Sequence, residues 1–164
     1  MRRAFIIGSL TLAALDITDA ITFWYFYRDV RPMRIFHSVA AGLLGRDAAI
    51  AGGWPTAILG AALHTFIATC IVLTYYFLAK RIPLLVEYPI ACGLAYGFGA
   101  WLVMTYVVVP LSNARSGGRV SLAVLLNGIL GHMLFVGLPA AFAGRAAVRE
   151  ARLEGGLASA ARVP

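Results

Sequence analysis

Charge is what this sequence has least of. Asp, Glu, Lys and Arg make up 13% of its 164 residues, about half the roughly 25% of a soluble domain. So few charged groups cannot surround a water-soluble core, and with 61% of the residues hydrophobic the composition points to lipid as the solvent. Acidic residues are scarcer still, 7 against 14 Lys and Arg, which leaves a net charge of +7. All but one of the basic residues are arginines, in short connections and at both ends. That placement fits attraction to anionic lipid headgroups. It excludes nucleic acid as a partner, because no basic stripe stands on a folded soluble face.

Cysteine is nearly absent too. Cys70 and Cys92 lie inside hydrophobic segments, outside any Cys-x-x-Cys or Cys/His ligand spacing. Their positions along two helices put them at different heights, and a disulfide requires Cα atoms within roughly 7 Å, so both read as small buried thiols. Also missing are Gly-x-Ser-x-Gly, His-Glu-x-x-His and any phosphate-binding glycine loop. No enzymatic reaction is expected.

What the sequence has in abundance is long apolar runs. Their lengths, near the roughly 20 residues that cross a bilayer as a helix, predict an all-α polytopic membrane protein. Its four transmembrane helices fall at about residues 4–27, 54–79, 89–109 and 120–143, in a single domain covering 1–164. Arg2-Arg3 before Ala4 to Leu15 has the look of a signal peptide, but the apolar run continues through Phe26 with no cleavage site. Between the first two runs, at about 33–45, Phe36, Val39, Ala40, Leu43 and Leu44 recur at helical spacing, with Arg34, His37 and Ser38 opposite. A helix of about a dozen residues is too short to span, so an amphipathic helix is expected at the membrane surface or as a lid on the bundle. Pro32 suits its first turn and Gly45 its end.

Aromatic residues bracket these runs: Trp24, Tyr25, Tyr27, Trp54 and Tyr106 toward one end, Tyr75, Tyr76 and Tyr88 toward the other. Such belts sit at headgroup level. Four crossings put both termini on one side, with Arg2, Arg3, Lys80, Arg81, Arg145, Arg149, Arg152 and Arg162. That small excess favours cytoplasmic termini. The tail, 145–164, is expected to prolong the last helix as far as Gly155-Gly156.

Ionisable side chains inside a span are costly and are candidates for function. Asp16 and Asp19 stand three apart on the first span, His64 on the second and His132 on the fourth. Counting from the helix ends brings Asp16, His64 and His132 near mid-membrane, with Asp19 slightly further out. Gly60 precedes His64 by four residues and Gly128 precedes His132 by four, a pattern that hints at two related hairpins. The plainest role for the cluster is packing: an aspartate accepts from a histidine or from Thr18 or Thr22, while Gly60, Gly93, Gly97 and Gly128 let backbones approach. Three functional alternatives follow from the residue types. Two histidines at equal depth can hold a haem b iron, with a glycine one turn away leaving room for the porphyrin. Asp16, His64 and His132 are chemically able to ligate a metal, though without a second close pair. Intramembrane Asp and His also form proton relays, which would give a proton-responsive or transport protein. No cofactor and no metal is expected; the partners expected are the lipid bilayer and either a second copy or a subunit of a membrane complex.

The order Leu63-His64, Tyr75, Pro83, Gly93, Pro110-Leu111, Gly131-His132 resembles small bacterial inner-membrane proteins that include the YagU-like family. There a His-bearing helix, a Gly-rich helix ending in Pro-Leu and a Gly-His helix follow one another. The resemblance covers about the last two-thirds of the chain. It implies an inner-membrane location and an association with acid tolerance, and it carries over no catalytic residue.

Overall fold

The computed structural model describes residues 2–114 and 120–160, and these are helical with no strand among them. Helix α1 spans Arg2–Arg28, α2 Pro32–Leu44, α3 Arg46–Ala51, α4 Gly53–Arg81 and α5 Leu84–Glu87. Helix α6 covers Pro89–Leu111, and α7 runs unbroken through Leu122–Gly131, His132–Gly137 and Leu138–Ala160. Four segments are long and apolar enough to cross a membrane: Arg3–Arg28, Gly53–Arg81, Pro89–Leu111 and Leu122–Glu154. The helix of α7 passes through Gly155 and Gly156 to Ala160, further than the glycine pair leads one to expect. The 115–119 connection lies outside the described residues.

Two of the long helices widen near a proline. Helix α6 takes π-helical geometry over Met104–Val108 and α7 over His132–Gly137. Each wide turn ends two residues before a proline, Pro110 and Pro139. A proline has no N–H, and its ring presses on the carbonyl four residues back, here those of Tyr106 and Phe135. An extra residue in the preceding turn relieves that contact without breaking the helix. The second of these turns begins at His132.

The main core lies toward the end that carries the chain's amino terminus. Leu12, Val72, Tyr75 and Val136 are its largest fully buried side chains, filled in by Ala68, Ala140, Ala141 and Ala147. Tyr75 and Tyr96 meet edge to face with ring centroids 5.0 Å apart. Neither hydroxyl is stranded, since Tyr75 donates to the Leu85 carbonyl at 3.0 Å and Tyr96 to that of Ile71 at 2.8 Å. A buried hydroxyl without a partner would cost more than the ring gains. The cysteines fall outside this core, contrary to expectation: Cys70 is exposed and Cys92 half-buried. Cys70 sits on the outer face of α4, and Cys92 reaches the Leu84 carbonyl at 3.6 Å.

At the opposite end α2 packs along the first half of α4. It buries His37, Ala40 and Ala41 on one face, and Ile35 besides; the expected faces are thus partly reversed, since His37 turns inward to the Gly53 carbonyl while Leu43 and Leu44 are exposed. Gly45, at φ 80°, ends it as expected, with its N–H on the Ala41 carbonyl; this left-handed turn favours glycine. The chain then forms α3, a short helix that periodicity gave no sign of, before entering α4. Asn113, just past α6, closes the end of α2 by donating its N–H to the Gly42 carbonyl at 2.9 Å and its side-chain amide to that of Leu43, also at 2.9 Å.

Candidate functional site

Helix α1 lies between α4 and α7, and its two aspartates face different neighbours. A step of three residues turns a helix about 60° short of a full circle, enough to point Asp16 toward α4 and Asp19 toward α7. His64 Nε2 stands 3.8 Å from Asp16 Oδ2, too far for a hydrogen bond. It bonds instead to the Ala13 carbonyl at 3.0 Å. A carbonyl only accepts, so Nε2 carries the hydrogen. Asp16 accepts no hydrogen bond among the described residues; its side chain is 24% exposed and that of His64 14%.

Asp19 is better served. Its Oδ2 accepts from Asn127 Nδ2 on α7 at 3.1 Å. The same oxygen lies against Gly131, where an added Cβ would stand only 2.7 Å away. Asn127 therefore belongs to the site although it is uncharged and stands alone in an apolar run. The expected threonine donors take no part: Thr18 turns back on its own helix and donates to the Ala14 carbonyl at 2.6 Å. His132 likewise uses its own helix, with Nδ1 donating to the Gly128 carbonyl at 2.9 Å. It carries hydrogen on the opposite ring nitrogen from His64, and with Asp16 it lies within electrostatic range of Asp19. The four candidates thus form two contacts and a bystander: Asp16 beside His64, Asp19 on Asn127, and His132 near but unbonded to either.

The four candidate glycines all sit at close approaches, but against different partners. A Cβ on Gly60 would run into the backbone of Phe36 on α2, so Gly60 seats the short helix instead of joining two long ones. Gly93 and Gly97 face α7, where a Cβ on Gly97 would meet the carbonyl of His132. Gly128 faces the indole of Trp101, whose Nε1 lies 2.8 Å from the site of an added Cβ. The two Gly-x-x-x-His segments therefore have unlike surroundings, and nothing in their contacts repeats the hairpin symmetry their spacing hints at. A bis-histidine haem does not fit these residues either. The faces next to Gly60 and Gly128 are filled by Phe36 and Trp101, and His64 Nε2 is engaged by Ala13. Among the described residues no three His, Cys, Asp or Glu side chains converge as metal ligands, so Asp16, His64 and His132 do not assemble the three-ligand site their types allow. Comparison with protein families, curated proteins and solved structures finds no match for the chain.

Proposed function

We propose that the chain is a multi-pass protein of the bacterial inner membrane, with cytoplasmic termini and no enzymatic reaction of its own, acting as an accessory subunit that associates with a second copy of itself. In this reading α2 is an amphipathic helix at the membrane interface, the arginines meet anionic headgroups, and the resemblance to YagU-like proteins reflects the shared helix order. The observation that carries the proposal is where the polar groups of the long helices go. His64 binds α1, Asn127 binds Asp19, and Tyr96 binds α4 through Ile71. These are contacts that fix which helices pack together.

Helix α6 supplies the face for association. It is the least covered of the four long helices. Ala91 and Ala95 are exposed on it, and a Cβ on Gly99 would meet nothing within 4 Å. Small residues four apart let two helices approach closely in lipid. Cross-linking Ala95→Cys in native membranes, with Cys70 and Cys92 replaced by serine, is expected to give a dimer that Gly99→Leu abolishes. A protein that stays monomeric under these conditions sinks the proposal.

A second reading has one observation in its favour. Asp16 lies midway along α1 with no hydrogen-bond donor among the described residues, 3.8 Å from a histidine. A packing role satisfies a carboxyl group, as it does for Asp19, whereas an unsatisfied carboxyl beside His64 suits proton exchange in a proton-responsive or transport protein. Proton flux into vesicles is then expected to fall at least tenfold in Asp16→Asn, since each tenfold requires only about 1.4 kcal/mol. Equal flux in the two proteins removes this reading.

A further inference from the structure

Arg145 stands where α7 leaves the apolar part of the bundle. It follows Gly144, where an added Cβ would lie 2.6 Å from the Tyr75 ring and 3.5 Å from the Tyr76 backbone nitrogen. It is therefore level with the tyrosines that close the apolar part of α4, about one turn short of Lys80. It also lies one turn past Ala141, which meets α6 at Gly93, and beyond it Ala147 and Val148 share a buried cluster with Val86 of α5. Arg145 is half-buried there, and its Nε is enclosed with no hydrogen-bond partner among the described residues. A guanidinium stays charged at every working pH. With one donor cut off from water and left without an acceptor, that charge is costly unless an anion offsets it.

Among the described residues no carboxylate does so. Arg149 and Arg152 follow Arg145 at steps of four and three, a row along one face of α7. Both are exposed, and neither forms an ion pair among the described residues. Glu150 and Glu154 make a second row, roughly a third to half a turn round the helix. Glu87 on α5 is exposed and pairs with none of these arginines. Lys80 lies over the Tyr76 ring, 5.6 Å from its centroid. Toward the bilayer the arginine face continues in Leu138 and Phe142, about two turns before Arg145 and Arg149, and Phe142 is 49% exposed. One face of α7 thus passes from apolar to cationic at the depth of the tyrosines.

We propose that Arg145 and Arg149 hold the phosphate of an anionic phospholipid whose acyl chains run along Leu138 and Phe142. Arg145 supplies the fixed half of the grip: burial at Nε limits the freedom of its guanidinium, and a planar guanidinium takes two phosphate oxygens side by side. Arg149 closes from the water side. The bound phosphate gives Arg145 the counter-charge that the chain itself does not place beside it. Apolar and cationic side chains in one row select a lipid over free phosphate, because only a lipid offers both parts together. The proposal rests on the chain lying in a membrane and is independent of association through α6.

The test uses the full chain in vesicles of equal parts phosphatidylglycerol and phosphatidylcholine, from which the protein is released with the lipid it holds and weighed intact by native mass spectrometry. Lipid on the wild-type protein is expected to favour phosphatidylglycerol about tenfold. In Arg145→Gln that preference is expected to vanish. Arg149→Gln, at an exposed position, is expected to lose roughly fivefold, which keeps the question decidable if Arg145→Gln does not fold. Lys80→Gln removes the same charge at the same end and is expected to keep the wild-type ratio. No preference in the wild type overturns the proposal, and so does a preference retained in either folded arginine variant. An equal loss in Lys80→Gln marks diffuse attraction to the surface and overturns it too. Inorganic phosphate in excess is expected to leave the lipid in place; displacement overturns a lipid as the occupant. Flotation of the same samples separates this proposal from the membrane reading. A chain that floats with the vesicles and shows no preference loses only the lipid site, whereas one that stays in the aqueous phase loses both.

Discussion

Gly97→Val is expected to separate α6 from α7 and to destabilise the protein by about 3 kcal/mol, at or beyond the upper end of the usual cost of overpacking. The reason is that everything the new side chain would meet is backbone. A Cβ at Gly97 collides with the carbonyl of His132 and comes within 2.7 Å of the Met133 Cα and 2.9 Å of the His132 carbonyl carbon. Side chains can rotate away from an intruder; these atoms cannot, because they belong to the wide turn that accommodates Pro139. The opposite surface is equally unyielding, since a Cβ on Gly137 would meet the Gly93 carbonyl and stand 2.8 Å from both N and Cα of Gly97. The two helices therefore touch backbone to backbone, which in lipid is a main source of helix–helix affinity. Denaturation in mixed detergent micelles, against the wild type, checks this. A midpoint for Gly97→Val equal to that of the wild type would mean that α6 and α7 are not in contact there.

That contact also shows which parts of the molecule the sequence discloses. The four long helices are legible because each is an apolar run long enough to cross a bilayer, so composition and counting suffice. Gly93 and Gly97 announce a close approach by their spacing. Small residues do not say what approaches, however, and Gly60 is the instructive case: it resembles a contact between long helices and in fact receives the backbone of α2. Asp16, Asp19 and His64 stand out because charge in a hydrophobic run is expensive. Asn127 carries no charge and so gives little signal, yet it supplies a side-chain donor to Asp19. Its position four residues before Gly131, on the same face of α7, is the only hint. Helix α3 is illegible for a different reason. Six residues between two glycine turns are too few for any periodicity to develop.

Gly60→Leu is expected to displace α2 while leaving the four long helices assembled, the converse of Gly97→Val. A Cβ at Gly60 collides with the Phe36 carbonyl oxygen, and it lies 2.8 Å from the carbonyl carbon and 3.2 Å from the Cα of the same residue. A leucine thus needs the whole of α2 to lift, and α2 is free to do so, because it leaves α1 through the short link 29–31 and otherwise touches the rest mainly along α4 and α3. Lifting exposes Ile35, Ala40 and Ala41 and breaks the bond from His37 to Gly53. Helices of only 13 residues are marginal without tertiary contacts, so undocking shows as lost amide protection. A cost of about 2–3 kcal/mol corresponds to roughly 30- to 150-fold faster hydrogen exchange. That loss should be confined to Pro32–Leu44, with α6 and α7 exchanging as in the wild type. Wild-type protection throughout α2 would show that Gly60 does not seat it. Loss spread over all four long helices would show that α2 is part of the framework and not a separable element resting on it.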